Sequence, residues 1–305
     1  MEKEFPVSVI MLTYNREKLL STMIESILRQ SFRDFEYIIV DNGSSDSSGM
    51  ISEEYAKKDY RIQVIHIEKS SIGKGRNVGL TYAKGRFVAF VDDDDICEMT
   101  YLEELYSCVK DTNDEIAICG TNKSSNNNSQ TFSTKEAMEA LLDRKCFNVG
   151  FPTKLIPRNF FEQDYFDETA KFDDIRLMPT MIAKAKKIHY IAKPLYIVNR
   201  HDNNNSAWTT NHSLLTKEIL EEYLEVYEQR TKWLCQIFPE EESLWNYYKW
   251  SFYISMVQKI TTLRIANCGK VNGLMKHELF TNRADFLSSN KIQKFEIEWM
   301  EEFIL

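Results

Sequence analysis

Three features are missing from this 305-residue sequence, and each absence argues against a class of protein. No stretch approaches the roughly 18 consecutive apolar residues of a membrane-spanning helix. The 38 Lys and Arg residues are outnumbered by 46 Asp and Glu residues, which gives a net charge of -8. A protein that binds nucleic acid usually carries a basic face, so no nucleic-acid partner is expected. Attraction to a membrane through basic residues is disfavoured for the same reason.

The third missing feature is the CxxC pair. Six cysteines are scattered along the chain, at Cys97, Cys108, Cys119, Cys146, Cys235 and Cys268. Their spacing signals neither a zinc knuckle nor a dithiol site. The first residues, MEKEFPVSVI, start acidic and lack a signal-peptide pattern. We therefore expect a cytoplasmic protein with reduced, mostly buried thiols.

The first hundred residues alternate short apolar runs with helical patterns. Strands are predicted at VSVIML (7–12), FEYIIV (35–40), IQVIHI (62–67) and RFVAFV (86–91). Strands that alternate with helices imply right-handed βαβ units and a mostly parallel sheet. The predicted fold class is therefore α/β.

Polar clusters follow three of these strands. They are Thr13-Tyr14-Asn15, Asp41-Asn42-Gly43 and Asp92 to Asp95. Ligands of open α/β sheets bind at the carboxyl ends of the strands. The sequence therefore predicts a binding site where these clusters meet.

Four consecutive aspartates end the fourth predicted strand. A hard divalent cation such as Mg²⁺ or Mn²⁺ prefers oxygen ligands, and it often takes one or two carboxylates plus substrate phosphates. On an extended segment, Asp92 and Asp94 would face one site while Asp93 points elsewhere. An Asp93→Ser change is then expected to be nearly harmless. A solvated acidic turn, with Asp95 capping the next helix, explains the same residues equally well.

Two further residues suit a nucleotide. Asp41 can accept hydrogen bonds from a base or from ribose hydroxyls. The segment GKGRNVG is neither a Walker loop nor a GxGxxG motif. Its Arg76 could bind a phosphate or pair with a structural carboxylate, and the residues alone do not choose between these roles.

The second half of the chain is less regular. The polar TNKSSNNNSQTFS indicates a surface loop or hairpin tip, and KKIHYIAKPLYIVN indicates a strand pair around Lys193-Pro194. From about Ser213 the apolar residues follow helical spacing and include many aromatics. These helices could form a core of their own or against the main domain, or a dimer surface or a membrane-edge contact.

Several motifs together resemble the family 2 glycosyltransferases, which have a GT-A fold. VSVIMLTYNR, YIIVDNGSSDSS and GKGRNVGLTYAKGRFVAFVDDDD match the family's first hundred residues in order and spacing. FPTKLIPRNFFEQDYFDE, KFDDIRL and YIVNRHDNNNS match later segments more faintly. This sequence departs from the family's motifs at five positions. It has Asn42 where the family often has Asp, Asp173 in place of Glu, Gly75 in place of Ala, Asp93 in place of Ser and Pro152 in place of Trp.

This resemblance, which covers about two thirds of the chain, implies a Rossmann-like, mostly parallel central sheet flanked by helices. The C-terminal helical extension is expected from the helical spacing alone, because the last ninety or so residues match no segment of the family. Residues 1–212 would form the GT-A domain, with a nucleotide-sugar half at 1–100 and an acceptor half at 101–212. Residues 213–305 would form the helical region. The implied reaction transfers a sugar, with inversion, from a nucleotide diphosphate sugar to a glycan or glycolipid hydroxyl. UDP is the expected nucleotide and Mn²⁺ or Mg²⁺ the expected metal, in surface polysaccharide or related polymer synthesis.

The resemblance also implies residue roles. The residues expected to bind the nucleotide sugar are Thr13, Tyr14, Asn15, Asp41, Arg76, Asp92 and Asp93. Asp41 would bind the base and Asp92 the ribose. Asp94 and His201 would hold the metal, and Asp174 would be the general base, with Asp173 as its rival. The candidate contacts for the diphosphate or the acceptor are Asp95, Lys154, Asp173 and Arg200.

Two other functions are compatible with part of the pattern. A nucleotidyltransferase also uses metal-binding carboxylates, but it normally has a Gly-rich phosphate loop after the first strand, and LTYNRE does not resemble one. A non-catalytic sugar-nucleotide-binding module would not need the pair Asp173-Asp174. Peripheral membrane contact or homo-oligomerisation through the C-terminal helices is a further expectation.

Overall fold

The computed structural model describes residues 5–124, 128–144, 146–200 and 211–305. The chain divides into two compact units, Met1–Asn199 and Arg200–Leu305. The boundary predicted at residue 212 stays a prediction. All six cysteines are free thiols, and three of them, Cys97, Cys119 and Cys268, are buried.

The described part of the first unit is built on one nine-stranded sheet. Its strands are β1 (Val7–Thr13), β2 (Phe35–Asp41), β3 (Ile62–His66), β4 (Phe87–Asp92), β5 (Ile96–Cys97), β6 (Glu115–Thr121), β7 (Gln130–Ser133), β8 (Lys154–Pro157) and β9 (Lys187–Ile197). They lie in the order β3-β2-β1-β4-β8-β6-β9-β5, and β7 also pairs with β9.

Most of these strands run in one direction. β1, β2, β3 and β4 are mutually parallel, and β6 and β9 point the same way because β8 lies antiparallel between β4 and β6. β5, β7 and β8 run in the opposite direction. The predicted α/β class with a mostly parallel central sheet is confirmed.

Helices flank this sheet. They are α1 (Leu20–Leu28), α2 (Ser48–Ala56), α3 (Ile72–Tyr82), α4 (Tyr101–Val109), α5 (Thr134–Asp143) and α6 (Asp173–Lys184), with a 3-10 turn at Arg158–Phe161. α1 is amphipathic, and its Met23, Ile24 and Ile27 are completely buried in the core formed with the sheet. Burial of that apolar face stabilises the helix more than its intrinsic propensity does.

Helix α3 approaches β1 closely through two glycines. A Cβ atom on Gly75 would lie 2.3 Å from Leu12 Cδ1, and one on Gly79 would lie 2.5 Å from Ile10 Cγ2. Both distances are shorter than carbon atoms tolerate, so an alanine at either position would require the Leu12 or Ile10 side chain, or α3 itself, to move. Gly75, where the resembling family has alanine, thus lies directly against the Leu12 side chain.

Two local predictions change. The predicted strand pair around Lys193-Pro194 is wrong, because Lys187–Ile197 forms the single strand β9. Its register against β6 shifts twice, so that Cys119 faces Ile191 but Gly120 faces Pro194. Such an irregularity bends the strand, and the proline, which has no N–H, is tolerated there. In the polar segment, β7 forms at its end, and residues 125–127 lie outside the described residues.

The second unit is helical, as predicted. Its elements are α7 (Lys217–Ile237), α8 (Glu242–Thr262), α9 (Gly269–Thr281), α10 (Arg283–Ser288) and α11 (Lys294–Phe303), with 3-10 turns at His212–Leu214 and Pro239–Glu241. Its aromatic residues build a core within the unit. Trp245 and Tyr253 are each 1% exposed, and the rings of Tyr227 and Phe252 stack with centroids 3.7 Å apart. None of the helices in the described ranges is long and apolar enough to cross a bilayer.

Candidate functional site

Three strand ends meet at one edge of the sheet. β1 lies between β2 and β4, and its register places Thr13 beside Asp41 and Leu12 beside Asp92. Because these strands are parallel, their carboxyl ends open to the same side. The structure therefore brings together three residues that the sequence analysis selected separately.

The loop after β1 forms one wall of this site. Asn15 has a left-handed backbone (φ 53°), a conformation that asparagine adopts more readily than most residues. Its N–H donates to Ser44 Oγ (3.1 Å), and its Oδ1 accepts the Ser45 N–H (2.8 Å). Tyr14 is 39% exposed, and the Lys69 ammonium lies over its ring. Tyr14 thus offers an aromatic face at the edge of the site, while Asn15 holds the loop.

Asp41 is buried and fully engaged with the protein. Its Oδ1 accepts the Ser44 N–H (3.1 Å), and its Oδ2 lies 2.9 Å from His66 Nδ1. The other ring nitrogen of His66 lies 3.0 Å from Glu53 Oε1. The hydrogen bond to Asp41 raises the pKa of His66 above its ordinary value, against the opposing effect of partial burial. The predicted base-binding carboxylate is therefore one end of a chain of three titratable groups.

Sequence reasoning missed His66, although a signal was present. His66 is the fifth of six residues in the third predicted strand, IQVIHI, it ends the observed β3, and the register pairs it with Asp41. A titratable residue at the carboxyl end of a strand next to a site strand is a candidate by the same rule that selected the aspartates.

The acidic turn, Asp92–Asp95, breaks the predicted alternation. β4 ends at Asp92, so the next two aspartates form a turn and not an extended strand. Asp93 Oδ1 lies 3.4 Å from Arg16 Nε, and Asp94 Oδ2 lies 3.8 Å from Arg16 Nη2. The prediction that Asp93 points away from the site of Asp94 is wrong, because both carboxylates face one arginine.

The other contacts of the turn are internal to the protein. Asp93 also accepts the Tyr14 N–H (3.3 Å), so Asp93→Ser would remove contacts with the loop after β1 and is not expected to be harmless. Asp95 accepts the Asn199 N–H (2.7 Å) and is followed by β5, so its predicted role as a helix cap is wrong. Burial raises the pKa of both carboxyl groups to about 7.

Asp92 and Arg76 face each other across the site. Asp92 keeps about half of its side chain exposed, and its Oδ1 lies 3.7 Å from Arg76 Nη2. The Arg76 guanidinium also lies over the rings of Phe90, Phe151 and Phe166, at 5.2 to 5.9 Å from their centroids. Such packing holds the arginine through cation–π attraction, while its Nη2 atom lies near the Asp92 carboxylate.

Asp173 and Asp174 lie in the first turn of α6. Both carboxylates also interact electrostatically with the Arg76 guanidinium. Asp173 is 6% exposed; its Oδ1 accepts the Asp174 N–H (2.9 Å), and its Oδ2 has no hydrogen-bond partner among the described residues. Asp174 is more open, and its Oδ1 accepts the Ile175 N–H (2.9 Å). Burial raises the pKa of Asp173 to about 6 and also raises that of Asp174, while Arg76 opposes both shifts.

Lys154 lies deeper than a ligand contact requires. It is 1% exposed, and its ammonium donates to the Gly150 carbonyl. Burial lowers its pKa to about 7, and the nearby Asp174 carboxylate opposes that shift. The predicted contact of Lys154 with the diphosphate or the acceptor stays a prediction.

Two predicted site residues remain, Arg200 and His201. Arg200 is exposed and outside any helix or strand. His201 lies outside the described residues, so its predicted role at the metal stays a prediction.

The acidic turn fits a hard divalent cation in its chemistry. It offers carboxylate oxygens, the ligands that Mg²⁺ and Mn²⁺ prefer. Within the described ranges, no three His, Cys, Asp or Glu side chains are arranged to hold an ion by themselves. An ion bound here would take further oxygens from a ligand such as a diphosphate.

Comparison with known proteins identifies the family. Residues 8–176, more than half of the chain, match the model of glycosyl transferase family 2. The chain belongs to glycosyl transferase family 2. It is 31% identical over 216 residues to the glycosyltransferase GlyG of Streptococcus pneumoniae, an alignment that covers 65% of this chain and 72% of GlyG.

A second relative is longer. This chain is 29% identical over 199 residues to the poly(ribitol-phosphate) beta-N-acetylglucosaminyltransferase TarS of Staphylococcus aureus. That alignment covers 62% of this chain but 34% of TarS.

Solved structures of two other glycosyltransferases share the fold. TarS 1–349 in complex with UDP-GlcNAc matches with a TM-score of 0.61 at 19% identity, covering 92% of this chain and 89% of that one. The mannosyltransferase PcManGT from Pyrobaculum calidifontis, in complex with GDP-Man and Mn²⁺, matches with a TM-score of 0.56 at 16% identity, covering 98% and 84%. The predicted GT-A type of fold is confirmed.

Proposed function

We propose that this glycosyltransferase transfers a sugar from a UDP-linked donor to a hydroxyl group of a glycan or glycolipid, with inversion and with Mn²⁺ or Mg²⁺. The observation that carries the proposal is the convergence of Thr13, Asp41 and Asp92 at one edge of the sheet. This is where ligands of open α/β sheets bind. TarS is a poly(ribitol-phosphate) beta-N-acetylglucosaminyltransferase with a solved UDP-GlcNAc complex, and this relative supports the choice of UDP and of a polymer acceptor.

The residues around that edge suit the parts of the donor. Asp41 is the proposed acceptor of a hydrogen bond from the base, because each of its oxygens has a second lone pair besides the one used within the protein. The exposed ring of Tyr14 is proposed to cover the base. The half-exposed Asp92 can accept from ribose hydroxyls. Arg76, held over three phenylalanine rings, supplies positive charge near the diphosphate.

The metal belongs to the same proposal. Asp94, with His201 as a further candidate, would hold the ion beside the diphosphate. When bound, a divalent cation there acts as a Lewis acid and neutralises charge on the leaving diphosphate.

Asp174 is the proposed general base. Its carboxylate is more open than that of Asp173, which is enclosed against α3. A carboxylate within reach of the acceptor can take the proton of the attacking hydroxyl as the new bond forms. One base and one displacement give inversion at the anomeric carbon. A cytoplasmic location, and contact of the C-terminal helices with a membrane or a second copy, stay predictions.

The test is product analysis with a panel of UDP-sugars in the presence of Mn²⁺, beginning with UDP-GlcNAc. We expect release of UDP with transfer of the sugar to an added glycan or glycolipid acceptor. Release of pyrophosphate would instead indicate a nucleotidyltransferase. Tight binding of a UDP-sugar without either product, across the acceptor panel, would indicate a binding module.

A further inference from the structure

An arginine occupies the acidic turn. Arg16 Nε lies 3.4 Å from Asp93 Oδ1, and Arg16 Nη2 lies 3.8 Å from Asp94 Oδ2. Asp94 is the residue that the proposed function assigns to the metal. The Arg16 guanidinium therefore lies beside the carboxylate that is proposed to hold the metal.

The main chain around Arg16 is held firmly. The Arg16 N–H donates to Ser48 Oγ (2.8 Å), and Ser48 is completely buried at the start of α2. The next N–H, that of Glu17, donates to Asp46 Oδ2 (3.1 Å). The guanidinium thus reaches the acidic turn from a fixed anchor, which lowers the entropy that its pairing costs.

Little water screens these charges. The side chains of Arg16, Asp93 and Asp94 are 15%, 12% and 11% exposed. Charges shielded to this degree interact more strongly than charges on the surface. A divalent cation that approaches Asp94 would be repelled by Arg16 unless the guanidinium moves or shares the carboxylates.

We infer that Arg16 acts as a resident cation of the acidic turn and sets how tightly the donor site binds a divalent metal. The inference rests on the proposed function. The diphosphate of a donor adds negative charge and further oxygen ligands, so it offsets the repulsion from Arg16. Binding of the nucleotide and of the metal is then mutually favourable, and this coupling is larger with Arg16 present than without it.

The experiment titrates Mn²⁺ into the full chain by calorimetry, with and without UDP. Without UDP, Arg16→Gln is expected to bind Mn²⁺ about tenfold more tightly than the wild type, because a competing positive charge is removed. With UDP the difference should shrink. Arg16→Lys keeps a cation and should stay close to the wild type. Arg29→Gln, which changes a 68% exposed arginine on the far end of α1, should change nothing.

Two results would overturn the inference. The first is a wild type that binds Mn²⁺ in the presence of UDP, together with an Arg16→Gln variant that, without UDP, binds Mn²⁺ no more tightly than the wild type does without UDP. Arg16 would then not compete with the metal. If neither protein binds Mn²⁺ in the presence of UDP, the metal assignment in the proposed function fails, and the inference fails with it. Arg16→Met provides a second neutral variant should Arg16→Gln not fold.

Discussion

Partly buried charges occur in both units, but they are paired differently. In the second unit, Lys249 Nζ lies 3.0 Å from Glu278 Oε1 and 3.6 Å from Glu228 Oε2. Tyr253 donates to the same Glu228 at 2.7 Å. These charged groups find their partners on the neighbouring helices α7, α8 and α9 of the same unit, and pairing of this kind is the usual condition for burying charge.

In the first unit, the pairs that Arg16 and Arg76 form with the acidic turn are longer than the Lys249–Glu278 pair. Arg76 lies 3.7 Å from Asp92, and Arg16 lies 3.4 and 3.8 Å from Asp93 and Asp94. One carboxylate oxygen of Asp173 is buried without a hydrogen bond among the described residues. Charged groups in perturbed surroundings are common at functional sites, so these positions are candidates for binding or catalysis. Pair length alone does not mark every candidate, because Asp41 is closely paired with Ser44 and His66.

The largest effect should come from removing the proposed base. Asp174→Asn keeps the shape of the side chain but cannot accept the proton, so we expect turnover to fall about 10²–10⁴-fold while UDP binding is retained. Steady-state UDP release and calorimetric UDP binding measure the two quantities. This result would confirm that the loosely paired carboxylates of α6 serve chemistry.

Asp173→Asn is the matched control. Its carboxylate is more enclosed, so its replacement should reduce turnover by less than Asp174→Asn does. If Asp173→Asn were the more damaging variant, the roles of the two neighbours would have to be exchanged.

The second largest effect concerns donor binding. Asp41→Asn replaces an acceptor-only carboxylate with an amide, and a hydrogen bond to a charged group is worth about 1.5–3 kcal/mol. We expect UDP to bind about tenfold or more weakly, as measured by calorimetry. Equal binding by the variant would show that Asp41 serves only to hold His66 and Ser44.

How far the sequence predicts this molecule depends on the range of the interactions. β1, β2 and β4 were predicted closely because buried parallel strands are short apolar runs that end in turn-forming residues. The convergence of Thr13, Asp41 and Asp92 followed from strand direction alone. These are consequences of local pattern and of a general rule for parallel sheets.

The sequence could not predict the orientation of the aspartates in the acidic turn, because that orientation depends on the residue at which β4 ends. The alternation of side chains holds only within an extended strand, but β4 ends at Asp92, directly before Asp93 and Asp94. These two residues lie in a turn, and both carboxylates face Arg16. Arg16 itself lies in a loop whose path is set by hydrogen bonds to residues about thirty positions away. Single-sequence patterns do not contain such pairings.

A third prediction tests the structural side of the comparison. Lys249→Met leaves Glu228 and Glu278 without their shared cation, and both glutamates remain partly hydrated. We expect the free energy of unfolding to fall by about 1–2 kcal/mol, measured with urea. The kcat/KM of the folded variant should be unchanged. Lys294→Met, at a 93% exposed position that pairs with Glu298, should leave both quantities unchanged.

The smallest effect is a pH dependence at the strand ends. The pKa of His66 is raised in the folded protein, first by its hydrogen bond to Asp41, so protonated His66 stabilises the fold. That contribution is fully present below the unfolded pKa of about 6.5 and is lost as pH rises through the folded pKa. The Tm difference between the wild type and His66→Gln should therefore be largest at low pH and vanish on the alkaline side.

The partners of His66 decide which contact is responsible. Because the bond to Asp41 is the larger cause, Asp41→Asn should remove most of this pH dependence, while Glu53→Gln should leave most of it. Half of the His66 side chain is exposed, so solvent screening keeps the effect small in either case. A Tm difference that grew as pH rose would have the wrong sign for a raised pKa. It would show that Asp41 does not hold the protonated imidazole, and that the close pairing of this carboxylate rests on Ser44 and not on His66.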